Sequence, residues 1–109
     1  MTTILIAEDE DILRTTLRNK LKVNWPDADI VAEAETGTEA LMLINELKPD
    51  VAFLDIQMGS LSGIDVIQEI THQCYVIFVT AYDQYAIQAF EAGAVDYLLK
   101  PYTNQRMKN

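Results

Sequence analysis

Glu8, Asp9 and Asp55 are carboxylates at the ends of apolar runs, and Thr80 and Lys100 end two more. The runs are Ile4-Leu5-Ile6-Ala7, Val51-Ala52-Phe53-Leu54, Val76-Ile77-Phe78-Val79 and Val95 to Leu99. If the fold gathers those endings, three acids meet a hydroxyl and an ammonium. Mutually repelling carboxylates call for a hard cation with oxygen ligands, and Mg²⁺ suits a site that keeps waters and shares a phosphate. A neutral donor and a positive charge beside them meet the equatorial oxygens of an arriving phosphoryl group. A carboxylate can itself attack phosphorus and become an aspartyl phosphate. Each residue alone has a plainer use: an acid caps the next helix or sits in solvent, and a Thr or Lys simply ends a strand. The combination carries the argument.

The elements must therefore bring the endings together. Short continuous apolar runs separated by helical patterning are the mark of buried parallel strands, whose carboxyl ends share one edge. Leu13, Leu17 and Leu21 predict a first helix over about Asp11 to Val23, closed by Trp25-Pro26-Asp27. Ile30 to Ala32 reads as the second strand. Thr36-Gly37-Thr38-Glu39 has the form of a capping box opening a helix with Ala40, Leu43, Ile44 and Leu47 inward. Lys48-Pro49-Asp50 stops that helix. Gly59 to Gly63 is a loop, and Ile64 to Thr71 a third helix with Ile67 and Ile70 inward. Tyr75 to Val79 is the fourth strand. Asp83 to Glu91 is a fourth helix presenting Ala86, Ala89 and Phe90, with Gly93 near its carboxyl cap.

The alternation βαβαβαβαβ predicts an α/β fold, a doubly wound five-stranded parallel sheet in the order 2-1-3-4-5. Ligands of such sheets bind where the winding reverses, here between strands 1 and 3, beside Glu8, Asp9 and Asp55. The residues after Pro101 suffice for about two helical turns. A fifth helix beside the first is thus expected to be truncated here, and the parent protein to be longer.

Composition narrows the function. A chain of 109 residues that is half hydrophobic is one globular domain. No stretch approaches the roughly 20 apolar residues that span a bilayer, and no basic, then apolar, leader opens the chain. A cytoplasmic protein is the expectation. Cys74 has no partner for an intramolecular disulfide. A net charge of −9 argues against this piece gripping nucleic acid.

Glu8-Asp9-Glu10, Leu54-Asp55-Ile56-Gln57-Met58, Thr80-Ala81 and Leu99-Lys100-Pro101 resemble, in order and over essentially the whole chain, the receiver domain of two-component response regulators. Thr80 to Ala86 and Ala89 to Pro101 are similar to receivers of the LytTR type, whose parent proteins carry a DNA-binding domain downstream. The resemblance implies a flavodoxin-like receiver over residues 1–109, with an effector domain absent from this chain. It implies Asp55 as phosphoacceptor from a sensor histidine kinase, and Mg²⁺ held by Glu8, Asp9, Asp55 and the backbone carbonyl of Gln57. Lys100 would pair with the phosphoryl group, and Thr80 and Tyr97 would form the switch. The partners implied are the kinase, a second copy through the face of the fourth helix and fifth strand, and DNA only through the absent domain. Such a domain is no enzyme toward other substrates; it catalyses its own phosphorylation and dephosphorylation. Two departures stand out: Gly59 occupies a position where the family usually has proline, and Glu8 one where Asp is frequent.

Other readings have specific requirements. An aspartyl-phosphate phosphatase needs a second acid two residues after the nucleophile, where Gln57 stands. A flavin or nucleotide binder needs a Gly- or Thr-rich loop after the first strand, where Glu8-Asp9-Glu10 would repel phosphate. A phosphorylation-independent interaction module remains the alternative. His72 reads as a solvated side chain, and Tyr82 with Gln57 as tuning hydrolysis of the acyl phosphate.

Overall fold

The computed structural model describes residues 2–56, 61–70, 74–80 and 86–99, with the backbone alone at 86 and 97–99. Five strands and four helices alternate: β1 (Thr3–Ala7), α1 (Asp11–Asn24), β2 (Asp29–Ala34), α2 (Gly37–Leu47), β3 (Val51–Leu54), α3 (Gly63–Glu69), β4 (Tyr75–Thr80), α4 (Ala86–Glu91) and β5 (Asp96–Leu99). The strands are parallel in the order β2-β1-β3-β4, with the short β5 hydrogen-bonded beside β4.

The strands alternate sides, and each side has its own core. Ile4, Ile6, Val51, Phe53 and Val79 pack with Leu17 and Leu21 of α1. Leu5, Ala7, Ala52, Leu54, Val76 and Phe78 pack on the other face with Ile44 of α2, Val66 of α3 and Ala89 of α4. A strand apolar at both parities is buried on both faces, as the continuous runs required. Ile4, Leu5, Ile6, Leu54 and Phe78 are fully enclosed, each contributing about 1.5–3 kcal/mol of transfer free energy.

The edge strand β2 departs from plain alternation. Ile4 pairs with Ile30 but Leu5 pairs with Ala32, so Val31 is an extra residue in the ladder. The irregularity changes which side chains face which layer. Ile30 joins the α1 core, Ala32 and Ala34 pack on the opposite side, and Glu33 meets Arg14 and Arg18 of α1.

Several sequence-based expectations are corrected. The Thr36 hydroxyl accepts from the Glu39 N–H at 3.1 Å, but the Glu39 carboxylate accepts from the Glu35 N–H at 2.8 Å, so only half of the expected box forms. The reciprocal box is at α3, where the Ser62 hydroxyl and the Asp65 carboxylate each accept the other's backbone N–H. Leu47 is exposed rather than inward, because α2 ends there and Lys48 turns the chain through a left-handed conformation (φ 49°). Ala40 and Ile44 make the buried contact. Helix α3 stops at Glu69, with Ile70 already extended; Val66 is its fully buried residue, and Ile67 and Ile70 pack at the margin. Gly93, at φ +112°, donates to the Phe90 carbonyl at 3.1 Å and closes α4 as expected. The expected start of that helix at Asp83, and any helix after Pro101, lie outside the described residues.

Candidate functional site

The register decides which chain ends meet. Ala7 is paired with Leu54, so Glu8 and Asp55 leave β1 and β3 at the same level. The Asp55 N–H donates to the Ala7 carbonyl at 3.1 Å, and the Glu8 N–H donates to the Ala34 carbonyl at 3.0 Å. The ladder therefore runs one residue past the strands and fixes both acids' backbones. Leu54 is paired with Phe78, which sets Thr80, fully buried at the end of β4, one residue beyond the level of Asp55.

Glu8, Asp9 and Asp55 converge: carboxylate oxygens of all three lie within 4.8 Å of one another. Glu8 is 3 % and Asp55 7 % exposed, while Asp9 faces solvent. At that separation two carboxylates repel by on the order of 3 kcal/mol at an effective dielectric of about 20. A backbone donor offsets part of this, since the Glu10 N–H reaches Glu8 Oε2 at 3.3 Å. A divalent cation would offset the rest. In an octahedral Mg²⁺ shell, ligand oxygens about 2.0–2.1 Å from the ion are about 2.9 Å apart when adjacent and about 4.1 Å apart when opposite. Three hard oxygens within 4.8 Å fit that shell after a small contraction.

One participant was missed from the sequence. Arg14 of α1, its side chain 14 % exposed, donates from Nη1 to the Glu8 backbone carbonyl at 2.9 Å. Its Nη2 pairs with Asp11 and with Glu35, and its Nε faces Glu33 at 3.5 Å. The hydrogen bond it donates to Asp11, opposed by desolvation and aided by the fields of Asp11, Glu35 and Glu33, raises the guanidinium above its ordinary pKa. An Arg three residues into a helix that opens with Asp was the available signal; its reach to β1 and β2 was not visible in one dimension. Gln57, Tyr82, Lys100 and the side chain of Tyr97 lie outside the described residues.

The architecture has known counterparts. The family model for the response regulator receiver domain matches residues 4–109. The chain belongs to that family. Among curated relatives of this receiver, an "Uncharacterized response regulatory protein" of Vibrio cholerae is 46% identical over 96% of this chain and 41% of its own length. The "Transcriptional regulatory protein BtsR" of Escherichia coli K12 is 42% identical over 99% of this chain and 46% of its own length. The chain thus spans less than half of the curated relatives it matches. Among solved structures, the response regulatory domain of mrkE from Klebsiella pneumoniae superposes with a TM-score of 0.91 at 33% identity, covering 99% of this chain and 90% of that one. A "DNA-binding response regulator, LuxR family" from Staphylococcus aureus gives 0.91 at 31% identity, covering 99% and 93%. The receiver is therefore a module of two-component signalling with relatives that are transcriptional regulators. No helix among the described residues is long and apolar enough to cross a membrane.

Proposed function

We propose that Asp55 accepts a phosphoryl group from the phosphohistidine of a sensor kinase and that the modification switches the output of a transcription regulator. A single observation carries the reading: three carboxylates, two of them buried, converge within 4.8 Å at the ends of the adjacent strands β1 and β3. A carboxylate Oδ of Asp55 forms the new P–O bond as the P–N bond to the kinase imidazole breaks, its electron pair returning to the nitrogen. Glu8, Asp9, Asp55 and the Gln57 carbonyl are the proposed Mg²⁺ ligands. Bound there, the ion would neutralise charge on the transferring phosphoryl group. Lys100 adds a second positive charge, and the Thr80 hydroxyl donates to a phosphoryl oxygen. Turnover is confined to this one residue, so the receiver acts on no separate substrate.

The modification adds about −1.5 to −2 charge to a notch that already holds three acids. Thr80 then moves toward the new oxygens, Tyr97 turns inward, and the face of α4 and β5 changes shape. Half-exposed Phe90 and exposed Ile87 on α4 make that face a fitting contact for a second copy. This is a population shift of a bistable element driven by local electrostatics. The resemblance of Thr80 to Ala86 and Ala89 to Pro101 to LytTR-type receivers, together with the greater length of the relatives, favours a DNA-binding effector domain beyond residue 109; a cytoplasmic setting belongs to the same reading.

Incubation with acetyl phosphate and Mg²⁺ tests the reading. Wild-type chain is expected to gain one phosphoryl group by intact mass, and Asp55→Asn none. Equal labelling of that variant excludes Asp55 as acceptor. No labelling of the wild type, with or without Mg²⁺, favours the phosphorylation-independent interaction module instead.

A further inference from the structure

The Arg14 side chain ties three elements to the notch. It reaches the Glu8 carbonyl at the end of β1, Asp11 in the first turn of α1, and Glu33 and Glu35 at the end of β2. With the Glu8 N–H already given to Ala34, the Arg14 bond claims the remaining polar group of the Glu8 main chain. We propose that Arg14 is a positioning residue of the acidic notch, holding the Glu8 carbonyl so that Glu8 and Asp9 converge on Asp55. The proposal rests on the reading that these three acids hold Mg²⁺.

Two effects of Arg14 on a bound cation oppose each other. Its charge repels the ion, so deleting that charge alone would tighten binding. Its hydrogen bond preorganises two of the carboxylates, so deleting the bond loosens binding. Groups that orient metal ligands from behind typically change affinity by about tenfold or more, whereas a charge at the rim is screened by salt. Lysine separates the two effects. It keeps the charge but lacks the planar fork that serves the Glu8 carbonyl and the flanking carboxylates together.

The experiment is an amide-shift titration with MgCl₂ by ¹H–¹⁵N NMR, following Glu8, Asp9 and Asp55, on wild type, Arg14→Lys, Arg14→Ala and the double variant Glu33→Gln/Glu35→Gln. Both Arg14 variants are expected to raise the Mg²⁺ Kd about tenfold. The double variant keeps the bond to Glu8 and should stay within about twofold of wild type. Wild-type affinity in Arg14→Lys, tighter binding in Arg14→Ala, or an equal loss in the double variant would each overturn the proposal. Should Arg14→Ala lack a folded spectrum, Arg14→Lys decides. Absence of any saturable shift in the wild type overturns the metal reading itself, and this proposal with it.

Discussion

Gly63 is where site and fold are most tightly joined, and Gly63→Ala is the substitution that exposes it. A Cβ built there lies 2.5 Å from the Asp55 carbonyl oxygen and 2.7 Å from Cε1 of Phe78. One is main chain at the proposed acceptor and the other belongs to a fully buried ring. Ordinary carbon contacts of about 3.5–4.0 Å are reached only if the loop or the ring moves by roughly 1 Å. Overpacking of this kind costs about 1–3 kcal/mol. Alanine returns up to about 1 kcal/mol through helix propensity, less at the first position of α3 than in its interior. The net is a loss of about 1–2 kcal/mol, and at about 4–8 °C per kcal/mol the Tm falls by roughly 5–15 °C. Because the clash bears on Asp55 itself, labelling by acetyl phosphate well below Tm should slow as well. Thermal melts read the first effect and intact mass the second. An unchanged Tm with an unchanged labelling rate would refute the argument from close approach.

Gly93→Ala is the matched control: its Cβ would have only Ile67 Cδ1 at 3.8 Å, and the strain comes from φ +112°. It should cost about 1–2 kcal/mol by urea denaturation and leave labelling unaltered. Lys48 holds φ 49° at the end of α2 without being glycine, so Lys48→Gly should stabilise by about 0.5–1 kcal/mol, read as a higher urea midpoint; a lower midpoint would discredit the strain. Desolvation, with the field of Asp50, pushes the Cys74 thiol up from 9.0 to about 11. The fold favours the neutral thiol, so this contribution is complete below about pH 9 and is lost as pH rises toward about 11. Against Cys74→Ala, the wild type should lose stability more steeply across that window; parallel urea midpoints would count against it.

How much the sequence carried depends on the kind of contact. Ile4–Ala7, Val51–Leu54 and Val76–Val79 are apolar at both parities, so burial on two faces was readable from hydrophobicity alone. Parallel strands put all carboxyl ends on one edge, and that geometry alone predicts the convergence of Glu8, Asp9 and Asp55 that the fold shows. Thr80 followed from the same logic, and the terminal position of Gly93 from its freedom at positive φ. The roles proposed for Gln57, Lys100 and Tyr97 stand on family resemblance. The sequence did not reveal the ion pair of Arg14 with Glu33, because that depends on a single extra residue, Val31, which turns Glu33 toward α1. Ladder register is a property of two strands at once, and neither strand encodes it singly. The capping box expected at α2 formed only in part for a related reason: the Glu39 carboxylate accepts from the Glu35 N–H and not from that of Thr36. Close approach at Gly63 is likewise invisible until Asp55 and Phe78 arrive from distant positions. Hydrophobic pattern is local and additive, so one dimension conveys it; hydrogen-bond geometry and excluded volume arise between segments, so only the folded chain decides them.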